Sequence, residues 1–326
     1  MPQFRKLIIQ IPCYNESGTI GLTLRELPRH VAGFGSVEWL IIDDGSTDGT
    51  VEAAMKAGAD HIVRVPRNRG LANAFMTGLE ASLKLGADVV VNTDADNQYN
   101  AEDIPALVKP ILEGRADIVV GARSIGTIEH FSPMKKILQK IGSTVVRFAS
   151  NTDVVDAPSG FRAMSREAAL RINVFNDYTY TLETIIQAGQ KGISITSVPI
   201  RTNADLRPSR LLKSIPAYLK QSILTIFRIF VVYKPFRFFV AIGVTAFTLG
   251  FLLGLRFLYY YFFGNGSGAY IQSLILASIL LGIGFQTILV GFLADLQSVN
   301  RRLMEDLQYR IKKSELPEPE KKRKPI

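Results

Sequence analysis

The chain of 326 residues has a single cysteine, Cys13, which excludes an internal disulfide and a cysteine zinc site. It has three histidines, His30, His61 and His130, too scattered to suggest a histidine metal cluster. Its one tryptophan, Trp39, lies early in the sequence. Charge is missing from two long stretches, 238–255 and 269–294. No secretory leader is expected, because the apolar run that follows Arg5-Lys6 is short and reads as a first strand. What is abundant is apolar surface and positive charge. Hydrophobic residues make up 47%, and the excess collects after Phe236. The net charge of +9 suits a polyanionic partner. The basic residues cluster beside apolar segments rather than on a separate aromatic-rich face, so no nucleic-acid partner is expected.

From residue 5 to about 202 two patterns alternate. Short β-type runs fall at 7–11, 38–42, 61–65, 89–92, 118–120 and 193–200, and helical patterns fall near 18–30, 48–57, 71–85, 101–113, 165–172 and 178–190. Apolar strands alternating with amphipathic helices predict an α/β fold, a mainly parallel sheet covered on both faces. Two segments depart from this. Residues 133–148 place Met134, Ile137, Leu138, Ile141, Val145 and Phe148 at helical spacing, among Lys135, Lys136, Lys140 and Arg147. Residues 208–232 repeat the design, with Pro216 kinking or dividing the helix. Such basic amphipathic helices either lie in a membrane interface or pack as core helices. The charge-free stretches that follow favour the interface, because each is long enough to span a bilayer at about 20 residues.

The connector Gly264-Asn265-Gly266-Ser267-Gly268 makes these stretches a hairpin. Lys234 and Arg237 precede the hairpin, and Arg301, Arg302, Lys312, Lys313 and Lys321-Lys322-Arg323-Lys324 follow it, while the connector carries no positive charge. The positive-inside rule then places both termini and the α/β domain in the cytoplasm, on the cell (inner) membrane. The expected organisation is an α/β domain over 1–205 with an interface helix at about 133–149, and a juxtamembrane helix over 206–233. Two transmembrane helices follow within 234–300 (about 236–263 and 269–295), then a basic cytoplasmic tail over 301–326. The tail extends the second helix until Pro317. Apolar hairpins of this kind could also self-associate into a homo-oligomer.

Ligands of parallel α/β sheets bind beyond the carboxyl ends of the strands, and the polar motifs fall there. After the fourth run comes Asp94-Ala95-Asp96-Asn97-Gln98. Two carboxylates so close at the end of a buried strand are costly unless a cation offsets them. They either open a polar loop or hold a divalent cation carrying a nucleotide pyrophosphate, and oxygen ligands suit Mg²⁺ or Mn²⁺ rather than zinc. Pro12-Cys13-Tyr14-Asn15-Glu16 offers an aromatic face and polar groups for a base. Asp43 could accept from a base N–H or from ribose hydroxyls. Asp44-Gly45-Ser46-Thr47-Asp48-Gly49-Thr50 permits close backbone approach or simply caps the next helix. Gly70 sits in a segment whose helix-opening amides could face the nucleotide. Arg123, Arg201, Arg207 and Arg210 are candidate guides for an acceptor phosphate, or generic attraction to anionic lipid.

Together, Pro-x-Tyr-Asn-Glu at 12–16, Asp-Asp-Gly-Ser-Thr-Asp-Gly-Thr at 43–50, Asn-x-Gly at 68–70, Asp-Ala-Asp-x-Gln at 94–98, Gly-Ala-Arg at 121–123 and Asp156-Ala157-Pro158-Ser159-Gly160-Phe161-Arg162 resemble the GT-A glycosyltransferases of family 2. More narrowly they resemble the polyprenyl-phosphate glycosyltransferases, which include dolichol-phosphate mannose synthase and bactoprenol glucosyltransferase. The resemblance covers residues 5–205, and the hairpin favours the bactoprenol-glucosyl branch. The Q-x-x-R-W signature of processive members is absent. The resemblance implies a Rossmann-like GT-A domain. It implies that Asp94, Asp96 and Gln98 bind the metal and its pyrophosphate, and that Pro12, Tyr14, Glu16, Asp43, Asp44, Gly70, Asp94, Ala95 and Asp96 form the nucleotide-sugar site. It makes Arg123 and Asp156 catalytic, Asp156 as the base, and lines the acceptor side with Ser159 and Arg162. The implied reaction is inverting transfer of one sugar, glucose from UDP-glucose, to undecaprenyl phosphate. GDP-mannose or another UDP-sugar is the alternative donor. A non-catalytic component of sugar-lipid translocation is the competing class, disfavoured by two spans without an acidic residue.

Overall fold

The computed structural model describes residues 4–123, 144, 147, 150, 152–174, 180–203, 231, 235–263 and 271–316. The expected interface helix at about 133–149, the juxtamembrane helix over 206–233, the glycine-rich connector and the last ten residues lie wholly or largely outside them.

Seven strands form one sheet: β1 (Phe4–Cys13), β2 (Phe34–Asp43), β3 (His61–Arg64), β4 (Val89–Asn92), β5 (Ile118–Arg123), β6 (Arg162–Ser165) and β7 (Ile195–Ile200), in the order β3-β2-β1-β4-β6-β5-β7. All neighbours are parallel except β6, which runs antiparallel to both β4 and β5. β1 sits between β2 and β4, and Leu7, Ile8, Ile9 and Ile11 are fully buried because both faces of the strand are covered. The one polar residue among them, Gln10, donates its side-chain amide to Asn92 Oδ1 at 2.9 Å and to the Phe75 carbonyl at 3.4 Å, while its Oε1 is buried without a hydrogen bond. The chain leaves β1 toward β2 and β3 on one side and reaches β4 on the other. That reversal opens a crevice beyond the carboxyl ends of β1 and β4.

The helices that cover the sheet are α1 (Ile20–Glu26), α2 (Thr50–Lys56), α3 (Leu71–Lys84), α4 (Ile104–Leu112), α5 (Arg166–Arg171) and α6 (Thr181–Lys191). They fall where the sequence pattern places helices. Strand β6 was not foreseen. Its four residues, Arg-Ala-Met-Ser, form no apolar run, and only the two strands flanking it define it.

Two further helices follow, α7 (Pro235–Phe263) and α8 (Ile271–Glu315), of 29 and 45 residues, both long and apolar enough to cross a membrane. They pack closely where glycines allow. A Cβ at Gly284 would lie 2.6 Å from the Phe247 amide nitrogen, and one at Gly250 would lie 2.9 Å from that of Leu281. The chain divides into two compact units, Met1–Lys220 with Glu305–Ile326, and Gln221–Met304. The last turns of α8 therefore belong with the sheet. Glu305 pairs with Lys191 at 2.9 Å, the Tyr309 hydroxyl donates to Glu167 at 2.8 Å, and Lys312 donates to Asn173 Oδ1 at 2.9 Å.

Candidate active site

β4 ends at Asn92, whose side-chain amide donates to the Gly160 carbonyl at 3.0 Å and contacts the Tyr180 hydroxyl at 2.9 Å. The chain then turns through Thr93 into Asp94 and Asp96, both partly buried. The Asp94 carboxyl is pushed up to about 7, first by burial and then by Asp96, with Arg123 and Arg162 opposing. Asp94 accepts no hydrogen bond from a described residue, and Asp96 Oδ1 accepts only from the Gln98 amide, at 3.2 Å. Among the described residues no three His, Cys, Asp or Glu side chains gather as a closed cation cage. Two carboxylates with no salt bridge among the described residues fit a hard divalent ion that would take its remaining ligands from diphosphate oxygens and water. Gly160 lies against this pair. A Cβ there would come within 3.1 and 3.2 Å of the two Asp94 oxygens and 2.9 Å of the Tyr180 hydroxyl.

On the β2 side, Asp43 is fully buried in register with Cys13. Its Oδ1 accepts from the Ser46 amide at 3.0 Å, while Oδ2 has no hydrogen bond and lies 3.2 Å from the exposed Arg64 Nε. Gly45 makes the turn with φ +76°, and a Cβ would strike the Arg67–Asn68 peptide at 2.7 Å. Tyr14 is exposed at the mouth, whereas Glu16 is buried at the start of α1 and accepts from the Thr19 hydroxyl. Pro12 is paired in register with Ile42.

Asp44 departs from its expected role, for it braces a turn. Its two oxygens accept from the Arg69 and Gly70 amides at 2.9 and 2.8 Å, so these amides are taken by protein. Burial raises its carboxyl against those two hydrogen bonds. Ala95 likewise turns inward, its side chain buried and its carbonyl accepting from Thr23 Oγ1 at 2.9 Å.

Arg123, at the end of β5, holds Asp156 through Nε at 2.7 Å, Nη2 at 3.1 Å and its own amide at 3.2 Å. Asp156 is fully buried and Arg123 nearly so. The other sequence candidates for the acceptor side diverge. Arg162 is fully buried on β6. It donates to the Ser159 and Thr181 carbonyls and to Thr184 Oγ1, and its guanidinium lies 5.1 Å from the Tyr180 ring centroid. It lines no surface, because it is fully buried among these partners. Ser159 is buried with an unbonded hydroxyl. Arg201 is exposed but spent on Asp103, at 2.7 Å, and Glu102, at 3.2 Å. Arg207 and Arg210 lie outside the described residues.

Sequence reasoning missed the residues that steady these loops. Tyr99 accepts from the Gly160 amide at 3.0 Å and stacks on Phe161, while Tyr180 stacks on Phe75 with ring centroids 3.9 Å apart. Thr23, Glu26 and Asn203 contact the 94–98 loop across 71 to 106 residues of sequence. No local pattern marks such partners. The only cue was the abundance of polar residues near strand ends.

This geometry places two close carboxylates and a buried Arg123–Asp156 ion pair at the carboxyl ends of the strands of a doubly wound sheet. Residues 8–172 match the family model described as glycosyl transferase family 2, just over half of the chain. The chain belongs to that family. Polyprenol monophosphomannose synthase of Mycolicibacterium smegmatis is 30% identical over 222 residues, covering 64% of this chain and 82% of the relative. Glycosyltransferase AglJ of Haloferax volcanii is 29% identical over 320 residues, 94% of this chain and 99% of the relative. A UDP-N-acetylglucosamine–dolichyl-phosphate N-acetylglucosaminyltransferase of Methanococcus voltae is 29% identical over 216 residues, 59% and 83%. Among solved structures, glucosyl-3-phosphoglycerate synthase from Mycobacterium tuberculosis, crystallised with Mn²⁺, UDP and phosphoglyceric acid, shares the fold. Its TM-score is 0.53 at 22% identity, covering 68% of this chain and 78% of that one.

Proposed function

We propose that the chain transfers a single sugar from a nucleoside diphosphate donor to the phosphate of a polyprenyl lipid, with inversion, at the cytoplasmic face of the membrane. The observation that carries this reading is the close Asp94/Asp96 pair at the β1/β4 crevice, without a salt bridge among the described residues and beside the buried Arg123–Asp156 pair. The names of the relatives and the two apolar helices support a lipid acceptor. The charge bias of the sequence supports the cytoplasmic side.

Asp94 and Asp96, with Gln98 beside them, would hold Mg²⁺ or Mn²⁺ against the donor diphosphate. A divalent ion there offsets the negative charge that develops on the departing nucleotide. The acceptor phosphate oxygen attacks the anomeric carbon from the face opposite the diphosphate. The carbon–oxygen bond to the diphosphate breaks, and the nucleoside diphosphate leaves with the bonding pair. A phosphate monoester loses its second proton near pH ~6, so the acceptor arrives largely ionised. Asp156, already accepting three N–H bonds, then serves to hold Arg123 toward the phosphates and to take any residual proton.

We assign uracil as the base. Ser46 occupies one Asp43 oxygen, and the other, which lies 3.2 Å from Arg64 Nε without a hydrogen bond, is the acceptor we assign to a base N–H. Uracil offers a single imide N–H, whereas guanine offers both a ring N–H and an amino group. We assign glucose as the sugar, on the resemblance of the hairpin-bearing sequence to the bactoprenol-glucosyl branch. N-acetylglucosamine and mannose, named in relatives, are its competitors. A donor panel of UDP-glucose, UDP-N-acetylglucosamine, UDP-galactose and GDP-mannose, with labelled sugar captured in the lipid phase, tests all of this. Label from UDP-glucose with UDP freed in equal amount is expected. Label from GDP-mannose alone would overturn both base and sugar, and no transfer from any donor would support a non-catalytic membrane component.

A further inference from the structure

The 94–98 loop is held by side chains that no motif marks. Asn97, at its centre, adopts a left-handed backbone with φ 58°, which a side chain other than Asn, Asp or Gly tolerates poorly. Its buried side-chain amide donates to Glu26 Oε2 at 2.9 Å, at the carboxyl end of α1. One turn earlier on α1, Thr23 donates to the Ala95 carbonyl at 2.9 Å. From the other side comes the segment just after β7. Asn203 donates its side-chain amide to the Asn97 carbonyl at 3.0 Å and to Glu26 Oε2 at 3.3 Å, and its backbone amide to the Gln98 carbonyl at 2.9 Å. The Asn100 amide reaches the Arg201 carbonyl at 3.3 Å, and Tyr99 and Thr202 form an antiparallel bridge. All of these except the Asn203–Glu26 bond end on the loop that carries both aspartates or on the two residues after it.

We infer that Glu26, Asn97 and Asn203 are positioning residues that fix the geometry of the metal-diphosphate loop, and that Glu26 Oε2 is their shared anchor. This rests on the reading of Asp94 and Asp96 as cation ligands. Partners that orient ligands without touching the ion govern affinity about as strongly as 10- to 100-fold. The two Asp94/Asp96 carboxylates repel each other, so the loop must be held in place before the ion arrives. Asn203 also opens the stretch leading toward the apolar helices, so the sequence that follows β7 begins at the cation loop.

The test is Mn²⁺ binding to the full chain in detergent with UDP present, read by electron paramagnetic resonance of the free ion, alongside the Mn²⁺ dependence of turnover. Glu26→Ala, Asn203→Ala and Asn97→Ala should each raise the apparent Mn²⁺ dissociation constant about tenfold or more. The donor KM at saturating Mn²⁺ should stay near that of the parent. Glu26→Gln keeps an acceptor for Asn97 and should bind Mn²⁺ like the parent. Asn97→Gly keeps the left-handed backbone and should lose less than Asn97→Ala. Thermal unfolding of each variant without Mn²⁺ reports whether the fold survives; Glu26→Gln and Asn97→Gly carry the test if an alanine variant fails to fold. Parent-like Mn²⁺ affinity in Glu26→Ala and Asn203→Ala would overturn the inference, as would equal loss in Glu26→Gln and Glu26→Ala. A parent protein that binds no Mn²⁺ with UDP would instead overturn the cation reading itself.

Discussion

Arg123 and Asp156 show what a residue-level view adds to a motif. The sequence marks both, but only the structure shows that they face each other, with side chains nearly or wholly out of solvent. Removing one partner of a buried ion pair leaves the other charge uncompensated, at a cost of about 3–5 kcal/mol. Asp156→Ala should therefore lower thermal stability markedly as well as activity. Asp156→Asn, which still accepts from Arg123, should keep the fold and a reduced but measurable turnover; comparing melting curves with single-turnover rates separates the two effects. Gly160→Ala places a methyl against both Asp94 oxygens. Its expected signature is weakened metal-dependent turnover with a folded domain by circular dichroism. Cys13, buried and hydrogen-bonded to the Ile11 carbonyl, has its thiol pushed well up by burial and then by Glu16, Asp43, Asp48 and Asp94. The native protein should thus resist iodoacetamide at pH 8 and take up one equivalent only when unfolded. Where the sequence misled, it did so in one way. Arg201 reads as a phosphate guide and Arg162 as lining the acceptor side, yet Arg162 donates to buried carbonyls and Thr184 and Arg201 pairs with Asp103 and Glu102. A sequence shows that a charge exists but not which partner satisfies it.

Elements were legible where their periodicity is local. Six of the strands and the six helices of the sheet unit lie where runs and repeats place them, because burial on two faces writes continuous apolar runs and burial on one writes helical stripes. Strand β6 was illegible because its pairing partners lie far upstream: Met164 faces Val90, 74 residues earlier, and Ala163 faces Val119, 44 residues earlier. The apolar helices were legible from their missing charge, and their close packing was not. Gly284→Val or Gly250→Leu drives a side chain into the neighbouring backbone, and overpacking of this kind costs about 1–3 kcal/mol. Either change should lower the unfolding midpoint of the helical unit in detergent while nucleotide affinity of the sheet unit stays unchanged.

At the scale of the molecule, α8 belongs to both units. Its apolar length ends before Arg301, and its last turns return to the sheet unit through Glu305, Tyr309 and Lys312. The sequence predicts a basic tail that extends the second helix until Pro317, and the helix runs to Glu315; which surface a charged helix meets is not written in its composition. Truncation after Met304 keeps both apolar helices and should still lower the melting temperature of the sheet unit, because Lys191, Glu167 and Asn173 lose their partners.

We propose that a lipid phosphate takes a sugar in this crevice from a donor held at Asp94 and Asp96. The most direct measurement is release of UDP from UDP-glucose by the purified full chain in liposomes with Mn²⁺, with and without polyprenyl phosphate, for the parent and for Asp96→Asn. The prediction is release that depends on the lipid, matches sugar-lipid formed, and collapses in Asp96→Asn. Release that ignores the lipid, or an Asp96→Asn enzyme with full metal-dependent transfer, would contradict it.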